Sequence, residues 1–128
     1  MKKLFLLISL MFLPIISHAA CVRADLTGTW IIYSSINDRV ARCAVVIPSS
    51  GTALSSSSNC AIPNIGSYKL SGNVSLDGPT CRVYGNINVG GLAEAVDTRI
   101  SRGKDSISGM SWPSGHPENG GVWSGVKQ

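Results

Sequence analysis

Beyond residue 20, apolar and polar positions exchange with a period of two over short runs, and each run stops at Gly, Pro, Asn, Asp or Ser. The clearest run is 67–75, where Tyr68, Leu70, Gly72 and Val74 share one face and Lys69, Ser71 and Asn73 the other. The run 80–89 is as regular: Cys81, Val83, Gly85, Ile87 and Val89 face in, and Arg82, Tyr84, Asn86 and Asn88 face out. The same reading predicts strands over 26–35 (Leu26, Trp30 and Ile32 inward), 40–48, 52–59, 92–101 (Leu92, Val96 and Ile100 inward), 106–112 and 121–127. The strand at 52–59 holds the serine run 55–58, which reads equally as loop or as a solvated edge. Turns are expected at 36–39, 49–51, 76–79, 90–91 and 102–105, and loops at 60–66 and 113–120. No long helical period is present. Eight short strands with short links predict an all-β fold, a small antiparallel up-and-down eight-stranded barrel or sandwich. Closing the meander would remove its sheet edges.

The first twenty residues follow another pattern. Lys2 and Lys3 precede an apolar run over 4–16, and the small residues Ser17, Ala19 and Ala20 follow with His18 among them. This order predicts a secretory signal peptide over 1–20 and one domain over 21–128. Cleavage is expected after Ala19, with a cut after Ala20 as the alternative. The second cut would make Cys21 the first residue and open a lipoprotein route, but His18 stands where a lipobox takes an aliphatic residue. The destination expected is a bacterial periplasm or the medium, with no stable membrane span once the leader is gone. At 128 residues the chain has room for one domain.

Charge adds little. The formal net charge is +4, and Lys2 and Lys3 supply half of it. The remaining basic residues are scattered, so no footprint for nucleic acid is expected.

The four cysteines are Cys21, Cys43, Cys60 and Cys81. An even count in an exported chain reads as two disulfides. No close Cys pair occurs, and His116 is the only histidine beyond the leader, so no metal site is expected. Four cysteines allow three pairings, and the meander ranks them. With the first strand running upward, Cys43 and Cys60 both fall near the top, almost facing across a hairpin. Cys21 and Cys81 both fall at the bottom. The pairing permitted is Cys43–Cys60 with Cys21–Cys81, each bridge contributing roughly 2–4 kcal/mol.

The segment Asp25-Leu26-Thr27-Gly28-Thr29-Trp30 resembles the opening of calycin barrels such as lipocalins and avidins. Small bacterial metalloprotease inhibitors have a similar opening and size, though they usually carry one disulfide. The chain beyond residue 20 also resembles exported bacterial proteins of unknown function. These share the start at Leu26 to Trp30, a cysteine on the second strand, and an ending like Asp105 to Gly109 followed by Gly121-Val122-Trp123 and Val126-Lys127. The resemblance implies a core tryptophan at the barrel base, with Lys127 stacked on Trp30 as in lipocalins. No position matches the biotin-binding residues of avidins.

Candidate chemistry is sparse. A Ser-His-Asp site would have to use His116, which shares a Gly- and Pro-bearing loop with Ser114 and Glu118. No nucleophile elbow, phosphate loop or zinc-protease motif occurs. No catalytic residues and no cofactor are therefore assigned, and the expectation is a non-enzyme. Glu94 falls on an inward row between Leu92 and Val96. It reads either as a buried acid in a ligand cavity or as the mark of a one-residue register slip at Gly90-Gly91; the slip is the expectation adopted. Gly72 and Gly85 on inward rows either open a cavity or permit strand bending. The candidate binding surface is the barrel end opposite Cys21. There Trp112, Pro113, His116 and Glu118 on the long last loop, with Asn64 on the 60–66 loop, combine stacking surfaces and polar tips. The leading expectation is a small exported module that binds an unidentified small molecule or protein through these loops. The alternatives are a protease inhibitor that inserts the arm 20–25 into a cleft, and a structural surface protein that pairs through the serine-rich strand.

Overall fold

Eight strands in chain order each pair antiparallel with their sequence neighbours, and the last pairs with the first. They are β1 (Gly28–Ile36), β2 (Arg39–Ile47), β3 (Asn59–Ile62), β4 (Gly66–Asp77), β5 (Arg82–Val89), β6 (Leu92–Ile100), β7 (Ser106–Pro113) and β8 (Gly121–Lys127). The ladder closes as a barrel, with β1 and β8 in register from Trp30↔Lys127 to Ser34↔Trp123. The computed structural model describes residues 20–36 and 39–128. The leader expected at 1–20 thus lies outside the described residues except for Ala20, as do Asn37 and Asp38 of the first expected turn.

The period-two pattern explains the interior. Trp30, Ile32, Cys43, Val45, Ile47, Cys60, Leu70, Val74, Val83, Ile87, Val96, Ile100, Ile107 and Trp123 are all buried. Both disulfides form as the meander requires. Cys43 faces Cys60 directly across the β2–β3 ladder, and Cys21 bonds Cys81 at the base with Cα atoms 5.1 Å apart.

Three expectations need correction. The first is the strand at 26–35, which begins only at Gly28. Residues Arg23–Leu26 form one helical turn, α1, beneath the barrel. The reason is Trp30, whose ring fills the barrel floor. Its buried Nε1 donates to the Leu26 carbonyl oxygen at 2.8 Å, which holds Leu26 under the floor instead of in the wall.

The second is the strand at 52–59. Strand β3 instead covers Asn59–Ile62, where a loop was expected. Residues 52–58 are irregular apart from a single bridge, Ala53↔Asn73. A serine run lacks the alternating apolar face of a strand; only Leu54 and Ser58 are buried. The segment nevertheless seals the wall between β2 and β4. Val46 N–H donates to Ser58 Oγ at 2.9 Å, Ser55 N–H to Val46 O, Leu54 N–H to Gly72 O, and Val74 N–H to Thr52 O, each at 2.9 Å.

The third is the register slip at Gly90-Gly91. The β5–β6 register runs without interruption from Arg82↔Arg99 to Val89↔Leu92. A two-residue hairpin needs positive φ at both central positions, and these glycines supply it at 58° and 94°. That tight turn fixes the register, so Glu94 stays on the inward row.

The remaining strands lie within two residues of expectation. Gly85 serves close strand approach and opens no cavity: a Cβ there would stand 2.1 Å from the Asn73 carbonyl oxygen.

The base is tied shut. Lys127 Nζ donates to the Ala24 and Asp25 carbonyl oxygens at 3.0 Å and stands over the Trp30 ring, 5.7 Å from its centroid. Lys104 Nζ lies 2.9 Å from Cys21 Sγ and 3.7 Å from Asp25 Oδ2. Cys21 N–H donates to Gly78 O at 2.9 Å. Substituting Trp30→Ala removes a fully buried ring and orphans the Leu26 carbonyl. It is expected to cost about 3–5 kcal/mol in urea unfolding followed by circular dichroism. Trp112→Ala, on the outer face, is expected to cost less than about 1.5 kcal/mol.

Candidate functional site

The barrel end away from α1 is built differently. Eight strands enclose just enough space for side chains to fill or for one small ligand. At the base Trp30 and Leu26 fill that space. Near the other end the inward positions include Ser34, Ala41 and Gly90, which are small. A cavity of about 550 Å³ remains there, within the range of small-molecule sites. Its walls are Ile62, Ile65, Tyr68, Ile87, Val89, Leu92 and Trp123, and the Cys43–Cys60 disulfide also lines it. At the rim Leu92 is 71% exposed and Ile65 45% exposed. Apolar side chains left in water around a concavity mark a surface suited to binding.

Besides the Tyr68 and Trp123 rings, the cavity lining includes Ser34 on β1, Arg39 on β2 and Glu94 on β6. Ser34 is buried, whereas Arg39 is exposed. Glu94 is half-buried, and burial pushes its carboxyl up from the ordinary value near 4.5. Ser111 on β7 pulls it back part of the way. Ser111 Oγ is close enough to favour the charged carboxylate but is not placed for a direct hydrogen bond, and it has no hydrogen-bond partner.

The residues expected to form the binding surface lie at this end but outside the cavity. Trp112 is half-buried on the outer face of β7, against Gly120. Pro113 faces Glu94 in the β6–β7 register without lining the cavity. His116 and Glu118 are exposed and pair with each other, Nδ1 to Oε1 at 3.1 Å. His116 precedes, and Glu118 lies within, a short 3₁₀ turn at Pro117–Asn119 that the sequence did not suggest. Asn64 is exposed in the β3–β4 turn at φ 63°. The structure thus sets Trp112 and Pro113 at the end of β7, His116 and Glu118 in the segment that follows, and Asn64 in a separate turn. The residues that line the cavity were legible only by strand parity. Tyr68 was placed on an inward row and Glu94 was set aside, while Ser34, Arg39 and Trp123 carried no separate signal.

Among the described residues no group of three His, Cys, Asp or Glu side chains is placed to hold a metal ion. Among them too, no helix is long and apolar enough to cross a membrane. The two disulfides suit an oxidising, non-cytoplasmic compartment.

A carboxyl whose pKa is higher folded than unfolded binds protons more readily in the native state. Stability is then greatest at acid pH and falls as pH rises through the raised value. Glu94→Gln removes this loss. Thermal melts are expected to show a Tm gain for Glu94→Gln near neutral pH that shrinks to nothing below the ordinary carboxyl range. A gain that grows toward acid pH would contradict the burial of this group.

The chain matches no protein-family model and no curated protein sequence.

Proposed function

We propose that this protein is an exported, non-enzymatic binding module that holds one small, largely apolar molecule in the cavity at the open end of its barrel. The observation that carries the reading is the contrast between the two ends. One is packed with Trp30 and Leu26 and stapled by Cys21–Cys81. The other keeps about 550 Å³ lined mainly by apolar side chains. Filling that space with side chains would stabilise the barrel, so a cavity retained at one end favours a binding role. Export is supported by the basic, apolar and small-residue order of the leader and by the paired cysteines. The calycin-like resemblance draws support from Lys127 standing over Trp30 at the base.

Two competing readings are weakened by particular contacts. A protease inhibitor acting through the arm 20–25 needs that arm free. Here the Cys21–Cys81 bridge, the Cys21 N–H bond to Gly78 O and the Lys104 contacts hold it against the base. A structural protein pairing through residues 52–58 needs unpaired backbone there, but this segment already bonds to both β2 and β4.

The neutral fluorophore N-phenyl-1-naphthylamine tests the site. It is expected to bind and brighten, and Ala41→Phe, which fills the cavity, is expected to weaken binding by about tenfold or more. Trp112→Ala and His116→Ala are expected to leave binding unchanged. The opposite pattern would return the site to the outer loop. A native mass spectrum of the protein recovered from a bacterial host is expected to show an adduct that denaturation releases.

A further inference from the structure

We propose that the natural occupant of the cavity is a small amphiphile with a cationic, hydrogen-bond-donating head, and that Glu94 is the residue that selects it. This rests on the cavity reading above and adds the ligand's charge. The argument begins with the other carboxylates. Asp97 is paired with Arg82, Asp25 with Lys104 and Glu118 with His116. Asp77 accepts from Thr80, and Asp105 from Ser101. Each of these is satisfied by the chain itself. Glu94 differs. It projects from the inward row into an apolar cavity, and among the described residues its one polar neighbour of note is the Ser111 hydroxyl.

A carboxylate removed from water without a counter-ion is costly. The cost falls when a cation enters, and the attraction is stronger in a partly desolvated site than in bulk water. The Ser111 Oγ beside it is fully buried and does not line the cavity, so the head group is met by Glu94 alone. An ammonium group carries three donors and can serve both oxygens of the Glu94 carboxylate. The apolar tail would then lie against Ile62, Ile87 and Trp123.

Arg39 is the rival anchor, and it would favour an anion. Its side chain sits at the exposed mouth, where water and salt screen its field. An anionic head drawn deeper would meet Glu94. The titratable groups facing the cavity are Arg39 on β2, Tyr68 on β4 and Glu94 itself. The strands flanking β6 set only Ile87 and Pro113 opposite Glu94.

The test compares three probes with the same chain length, octylammonium, 1-octanol and octanoate, titrated calorimetrically into the disulfide-bonded protein near neutral pH. Octylammonium is expected to bind about tenfold or more tightly than 1-octanol, the factor expected of a charge-assisted bond over a neutral one. Octanoate is expected to bind most weakly. Glu94→Gln should bring octylammonium down to about the level of 1-octanol, and continued binding of 1-octanol by the variant reports an intact cavity. Acidifying the wild-type protein until Glu94 is protonated should remove the same preference, so the test does not depend on the variant folding. Equal binding of octylammonium and 1-octanol, or tightest binding of octanoate, would overturn the cation assignment while leaving the cavity reading in place. If none of the three binds, the cavity reading falls and the assignment falls with it.

Discussion

Everything in this molecule depends on closing the ladder between β1 and β8. Once Trp30 pairs with Lys127 and Ser34 with Trp123, every interior side chain is confined within one ring of backbone. The ring fixes how much volume must be filled, because interiors pack to nearly crystalline density and a void forfeits contacts. A chain with three Trp, three Tyr and two Phe, both Phe within the first twenty residues, has few large side chains to spend on that task. One of them, Trp30, sits fully buried at the base with Leu26 beneath it, and much of the cross-linking lies beside it.

The base therefore acts as a foundation. The Trp30 indole, the Leu26 carbonyl, the Lys127 ammonium and the α1 turn satisfy one another, so little polar backbone is left without a partner there. The Cys21–Cys81 bridge closes a long loop across the same region, where chain-entropy arguments give a cross-link its larger effect. With one end secured in this way, the other end can keep small inward residues and an open volume while the barrel wall stays intact. Glu94 reflects the same asymmetry. A half-buried carboxyl is tolerated at the open end, whereas at the base the charged side chains bond to carbonyls.

Much of this was legible in the sequence, for reasons that vary by element. Runs such as 67–75 and 80–89 alternate without interruption, and a strand with one face buried has no other way to satisfy that pattern. The cysteine pairing followed because an up-and-down order places each residue at a known height. Legibility failed where backbone bonds go to hydroxyls and single bridges. In the 52–58 segment Ser58 Oγ stands in for a ladder partner, and no periodicity records that. It failed also at Leu26, whose position depends on a bond to Trp30 that only the closed barrel forms. At Glu94 the parity was right and was set aside, because an acid on an inward row contradicts the usual burial preference. The Trp112 to Glu118 loop drew attention through its composition, yet strand parity turns Trp112 outward. At the site, facing mattered more than residue type.

The two ends of the folded domain also differ in what is attached to them. Ala20 lies at the base beside Lys104, and Gln128 N–H bonds to Thr29 O at the foot of β1. Residues 20 and 128 thus both lie on the side of the barrel away from the cavity. Any tether joined to either one, whether a lipid, a fused domain or a solid support, would hold the molecule by its foot with its mouth toward the surroundings. The barrel has a built-in polarity of presentation.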